Sequence, residues 1–163
     1  MDKQEIYEML RERGIRFEAV EHKAVYNMDD LKDVDLPYPE RDAKNLFLRD
    51  DKKRNFYLVT VAPDKRVDLK RFRQEHGTRP LSFAPEKYLR EILGLEPGAV
   101  TPLGLLNDEE RQVRLFLDKA FFEGPALIGV HPNDNTATVY LKTEDLVRIV
   151  KEHGNEVEIT DPA

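Results

Sequence analysis

The chain of 163 residues carries 26 Lys and Arg against 32 Asp and Glu, a formal net charge of -6, and has no cysteine. That length suits one domain with its own core, residues 1–163, and is too short for two. The acidity argues against a protein that coats nucleic acid, which needs a broad excess of Lys and Arg to displace counterions, while contact with one end of a nucleic acid stays open. Lack of cysteine removes disulfides, thiolate zinc sites and cysteine nucleophiles together. No apolar run approaches membrane-spanning length, and the opening "MDKQEIYEML" is acidic and amphipathic, so a soluble, cytoplasmic protein without a membrane partner is expected.

In chain order, Asp2 and Glu5 have the spacing of a capping box, and Ile6, Met9 and Leu10 keep to one side of the helix that Gly14 stops. "RFEAVEH" alternates as a strand, with Phe17, Ala19 or their alternates inward. "KAVYNMDDLKDVDLPYPER" breaks into a short helical turn and a Pro-rich loop around Pro37 and Pro39, and loops of that length often border a site. Two strands follow, Leu46 to Leu48 and Phe56 to Val61, joined by the solvated tip "RDDKKRN". "VDLKRFRQEHG" predicts a helix with Leu69 and Phe72 inward, and "SFAPEKYLREILG" a second with Tyr88, Leu89, Ile92 and Leu93 as its buried stripe.

"GAVTPLGLLND", "QVRLFLDKAFF", "PALIGVHP" and "TATVYL" read as β-rich segments before a last helix from Thr143 to about Gly154 and a terminal strand "EVEIT". Strands and helices without regular alternation predict an α/β chain of the α+β type. Its sheet is expected to be mixed and largely antiparallel, or a partly closed barrel, flanked by helices.

The phosphate-binding, dinucleotide, nucleophile-elbow and H-E-x-x-H motifs are all missing. His22, His76, His131 and His153 are far apart, so no metal and no cofactor is expected. Three clusters could carry chemistry. Lys44 and Asn45 open a strand where an apolar residue would be ordinary; the ammonium can hold a phosphate or hydroxyl, and the amide both donates and accepts. Gly98, Thr101, Pro102 and Gly104 force an irregular backbone whose polar groups can face a ligand. His131 and Pro132 end an apolar strand with an imidazole that can donate, accept or titrate. Each also has an ordinary reading: a surface lysine, a turn, a structural histidine. Carboxylates at Asp50-Asp51, Asp108-Glu109-Glu110 and Glu144-Asp145 are explained by capping and solvation.

Taken in order, "KNLFL", "DLKRF", "LSFAPEKYL", "LGLEPGAVTPLGLLND", "VRLFLDKAFF" and the His-Pro followed by "NDNTATV" resemble the bacterial prolyl-tRNA editing proteins of the YbaK type, free-standing relatives of the editing insertion in prolyl-tRNA synthetase. The likeness covers nearly the whole chain; Ala43 stands where the family commonly has a small polar residue. The resemblance implies a hydrolase that clears a wrong amino acid from tRNA(Pro), alanine by the form of the 98–108 loop, with a deacylase for Cys or Ser, or a non-catalytic binding module, as the alternatives. It further implies that Lys44 and Asn45 hold the terminal nucleotide, that Gly98 to Pro102 orients water and ester, and that Gly104, His131 and Pro132 line the amino-acid end. The expected partner is the acceptor end of tRNA(Pro), and docking on prolyl-tRNA synthetase is left open. A basic rim of Lys52, Lys53, Arg54, Lys65, Arg66, Lys70, Arg71 and Arg73 would meet the nucleic acid, unless those side chains only solvate the surface.

Overall fold

A computed structural model describes residues 1–161. Helix α1 (Lys3–Glu12) begins at the expected box, Asp2 accepting from the Glu5 backbone while Glu5 reaches back to the Asp2 N–H. Two of the four orphan donors of its first turn are thereby satisfied. Strand β1 (Phe17–Glu21), the short helix α2 (Met28–Leu31) and a 3-10 turn at Pro39–Arg41 lead into β2 (Lys44–Asp50) and β3 (Phe56–Val61). The β2–β3 tip is held by Asp50, a buried carboxylate that accepts from the backbone of Arg54 and Asn55 and the side chain of Asn55. Helix α3 (Leu69–His76), strand β4 (Leu81–Phe83) and helix α4 (Glu86–Leu93) come next. The chain closes with β5 (Val113–Asp118), β6 (Leu127–Val130), β7 (Ala137–Lys142), α5 (Thr143–His153) and β8 (Val157–Thr160).

The fold is α+β, with two sheets. One has the order β1-β7-β6 and is antiparallel throughout; the other runs β4-β2-β3-β5-β8, antiparallel as far as β3 and parallel beyond it. An isolated parallel bridge, Asp42 to Gly129, links them, with Ala43 N donating to Gly129 O at 2.9 Å.

Every residue of β3 is buried, as a central strand covered on both faces requires. Alternate side chains serve separate cores. Phe56 and Leu58 join a large cluster that takes in α1, α4, α5 and the three-stranded sheet. Tyr57, Val59 and Val61 join Leu48, Phe72 and Phe116 beneath α3. In β2 the same alternation puts Asn45 on the face of Phe47, toward the large cluster, and Lys44 on the face of Leu46 and Leu48.

Two expectations fail locally. The 98–108 segment is not a strand: Pro102–Asn107 form a 3-10 turn started by Thr101, whose hydroxyl accepts from Leu103 N at 3.3 Å. A proline that fixes φ at the first position and a hydroxyl cap just before it favour a tight helical turn over an extended ladder. Strand β1 shows no clean alternation, since Phe17 and Val20 are the half-buried positions and Ala19 is exposed. Strand β4, only three residues long, is too short to show a period.

Candidate active site at the mouth of strand β2

A cavity of about 150 Å³ opens at the N-terminal end of β2. Lys44, Asn45, Gly98 and His131 all line it, joined by Ala43, Val100 and the segment Val25 to Met28. Thr101, Pro102, Gly104 and Pro132 are not among its lining residues and are buried. Gly104 has a packing reason to lack a side chain, because a Cβ there would come within 2.5 Å of Leu95 Cδ1.

Lys44 is half-buried, and its ammonium donates to the carbonyl of Lys65, in the turn after β3. That carbonyl is held in place by its own residue: Lys65 Nζ lies 2.7 Å from Asp118 Oδ1. Asp118 is fully buried and also accepts from the backbone N–H of Ala62 at 3.0 Å and of Ala120 at 2.9 Å. Asp118 thus balances the charge of Lys65, whereas Lys44 meets a neutral carbonyl and keeps its own positive charge at the cavity wall.

Asn45 is engaged at both ends of its amide. Thr60, its cross-strand partner, donates its hydroxyl to Asn45 Oδ1 at 2.7 Å, and Asn45 Nδ2 donates to Val100 O at 3.1 Å. The amide therefore ties β2 to the loop of Gly98 and Val100 and sets the distance between two cavity walls.

Gly98 closes that loop against the opposite wall. Its φ of +90° disfavours any side chain, and a Cβ would sit 2.9 Å from Val25 O and 3.1 Å from Tyr26 Cα. The Val25 segment cannot easily retreat, because Val25 N donates to Asn135 O at 3.2 Å and Asn135 Nδ2 returns a bond to Val25 O at 2.8 Å.

His131 Nδ1 lies 2.7 Å from Ala137 O. A carbonyl can only accept, so the proton is on Nδ1 and Nε2 keeps its lone pair. Burial holds the imidazole below its usual pKa, against the opposing pull of the Ala137 carbonyl, so the ring is neutral at physiological pH. It lies tilted to His22 with ring centroids 6.1 Å apart. The donors present suit an anion and an ester; among the described residues no group of three or more His, Cys, Asp or Glu could hold a metal ion.

Sequence reasoning marked the 23–41 segment as one that borders a site without singling out Val25 to Met28, and it missed a carboxylate behind the site. The wall's signal was the aromatic Tyr26 just before a helix-capping Asn27. Asp42 is buried and accepts from the Tyr140 hydroxyl at the junction of the two sheets. Together with Asn45, His131 and Thr138 it borders a second hollow of about 10 Å³, near the lower limit for one water.

Burial raises the Asp42 carboxyl to about 6, with Glu40 adding to the shift and the Tyr140 hydrogen bond opposing it. The folded state therefore binds more protons than the unfolded chain between about pH 4 and 6. This stabilising contribution is full below the unfolded value and is lost as pH rises through 6. Urea titrations of wild type and Asp42→Asn, which keeps an acceptor for Tyr140, should show the variant gaining stability relative to wild type from pH 4 to 7. A difference that does not vary with pH would contradict the raised carboxyl.

The expected basic rim divides. Lys52, Lys53 and Arg54 occupy the β2–β3 tip, at the far end of the strand from Lys44. Lys65 and Arg66 lie in the turn beside Lys44, followed by α3 with Lys70, Arg71 and Arg73, of which Arg71 pairs with Glu75.

Residues 22–149 match the family model of the aminoacyl-tRNA editing domain. The chain is 43% identical over 153 residues to the prolyl-tRNA editing protein ProX of Acetoanaerobium sticklandii, covering 94% of this chain and 93% of that one. It is 36% identical over 155 residues to the mouse prolyl-tRNA synthetase associated domain-containing protein 1, covering 93% and 91%. A crystal structure of a candidate trans-editing enzyme for prolyl tRNA synthetase superposes with a TM-score of 0.73 at 21% identity, over 98% of this chain and 94% of that one, and shares the fold. No helix among the described residues is long and apolar enough to cross a membrane. The chain belongs to the aminoacyl-tRNA editing domain family, of the YbaK and ProX type.

Proposed function

We propose that the chain is a cytoplasmic, single-domain deacylase that hydrolyses alanyl-tRNA(Pro) and so corrects an error of prolyl-tRNA synthesis. The observation that carries this reading is the size and lining of the cavity. At about 150 Å³ it is well below the roughly 300–1,000 Å³ of drug-sized sites. It suits a small side chain and its ester, and its wall offers the cation Lys44 to a nucleic acid end.

Physical need supports the same job. A synthetic site that accepts proline must also admit alanine, because loss of methylene contacts discriminates by only about 1–3 kcal/mol. A second, smaller site excludes what the first cannot reject.

An aminoacyl ester is already activated, so placing a water matters more than a strong base. The water oxygen bonds to the ester carbonyl carbon, the bond to the ribose oxygen breaks, and that oxygen leaves with a proton. Lys44 would anchor the terminal phosphate or ribose. The backbone from Gly98 to Val100, where the loop lines the cavity, would orient water and ester, Asn45 holding that loop at Val100 in addition to any direct contact of its own. The neutral His131 would bind at the amino-acid end, and the adjacent free ribose hydroxyl would relay the proton.

Release of amino acid from alanyl-, cysteinyl-, seryl- and prolyl-tRNA(Pro) by sub-stoichiometric protein tests the proposal. Alanine is expected to leave fastest and proline at least about 100-fold more slowly. Alanyl-tRNA lacking the neighbouring ribose hydroxyl should be a poor substrate. Stoichiometric protection of the ester without turnover would replace the enzyme with a binding module.

A further inference from the structure

Tyr26 is the most exposed large apolar side chain among the described residues, at 67%, yet it stands on the wall of the cavity. Exposed aromatic rings are usually loosely held, and this one has a fixed base. Its backbone N–H donates to Asp30 Oδ2 at 2.9 Å, while Asp30 N donates to Asn27 Oδ1 at 2.9 Å, so two bonds through Asp30 fix the start of α2. Beneath it Gly98 approaches so closely that a Cβ would lie 3.1 Å from Tyr26 Cδ1. Core packing does not account for a ring that is two-thirds in water, and helix capping is already done by Asn27.

The chemistry of the substrate supplies an occupant. When the amino acid fills a cavity of this size, the ribose sits at its mouth and the attached base must lie outside. Apart from His131, Tyr26 is the aromatic residue lining the cavity. We propose that Tyr26 is the stacking platform for the terminal nucleobase of the tRNA, an inference that rests on the editing reading above. Base-to-aromatic stacking needs only a π-face and so positions the end without demanding a particular hydrogen-bond pattern. Lys44 then takes the backbone charge and Tyr26 the base, so that the ester is held from two sides.

The test combines two changes, Tyr26→Ala in the protein and removal of the terminal base, leaving the ribose, in alanyl-tRNA(Pro). Either change alone is expected to raise KM about 5- to 150-fold with kcat little altered, and the two together no further than either. Tyr26→Phe should behave as wild type, which also controls for folding. An unchanged KM in Tyr26→Ala, or losses that multiply in the combination, would overturn the platform while leaving the deacylase reading intact. If wild type releases no amino acid, the same four combinations are read by fluorescence anisotropy of 5′-labelled uncharged tRNA(Pro). Binding that depends jointly on Tyr26 and the base keeps the platform and removes the enzyme; binding indifferent to either removes the platform.

Discussion

Lys44→Ala should lower the rate of alanine release from alanyl-tRNA(Pro) by about 100-fold or more, the size of loss typical when a group that positions the reacting end of a substrate is removed. The reason lies in its surroundings. The ammonium contacts the neutral carbonyl of Lys65, while the nearby carboxylate of Asp118 is committed to Lys65 Nζ and to two backbone N–H groups. Among the described residues, position 44 is thus a cation on the cavity wall without an ionic partner in contact with it. Its loss to the fold is small, about one ordinary hydrogen bond or 0.5–1.5 kcal/mol. Thermal melting should therefore move by only a few degrees while single-turnover hydrolysis nearly stops. Lys44→Arg is expected to recover only part of the rate, because a planar fork replaces a compact point charge. A Lys44→Ala protein that deacylates at the wild-type rate would remove the residue from the mechanism.

Gly98→Ala is expected to cost about 1–3 kcal/mol of stability and about 100-fold in activity. Its φ of +90° is strained for alanine, and the new methyl would meet backbone atoms of Val25 and Tyr26 as well as the Tyr26 ring. Those atoms are clamped by Asn135, so relief must come from the Gly98 loop moving into the cavity or pulling Val100 away from Asn45. The comparison is Gly77→Ala. Gly77 also has a positive φ, +66°, but a Cβ there meets nothing within 4 Å and it ends α3, away from the cavity lining. That variant should lose stability by a similar backbone penalty and keep its activity. If both variants lose stability and activity in the same proportion, Gly98 acts through the fold alone.

How much of this was legible in the sequence follows from the range of the interactions. The α1 capping box, the β2–β3 hairpin and, apart from a half-buried Tyr88, the stripe of α4 depend on neighbours within a few residues, and they appear where the pattern put them, although Asp50 is buried in the hairpin rather than solvated. Lys44 and Asn45 stood out because a polar pair interrupts the approach to an apolar strand. The partners that give them meaning were not legible: Lys65 O, Thr60 and Val100 O reach them only through strand register and loop packing. Asn45 thereby turns out to brace two walls of the cavity. The 98–108 loop misled because its apolar residues mimic a strand, while Thr101 and Pro102 start a 3-10 turn whose Gly104 makes room for Leu95. Asp42 was overlooked because nothing local distinguishes a buried carboxylate from the many solvated ones.

The cavity borrows its walls from four separated stretches, around positions 25–28, 43–45, 98–100 and 131. A nascent chain that has already paired β2 with β3 still has no pocket, since the imidazole and the strands that carry it emerge late. Ligand occupancy is accordingly a readout of completed tertiary assembly, and no proteolytic fragment ending before position 131 can retain a diminished version of it.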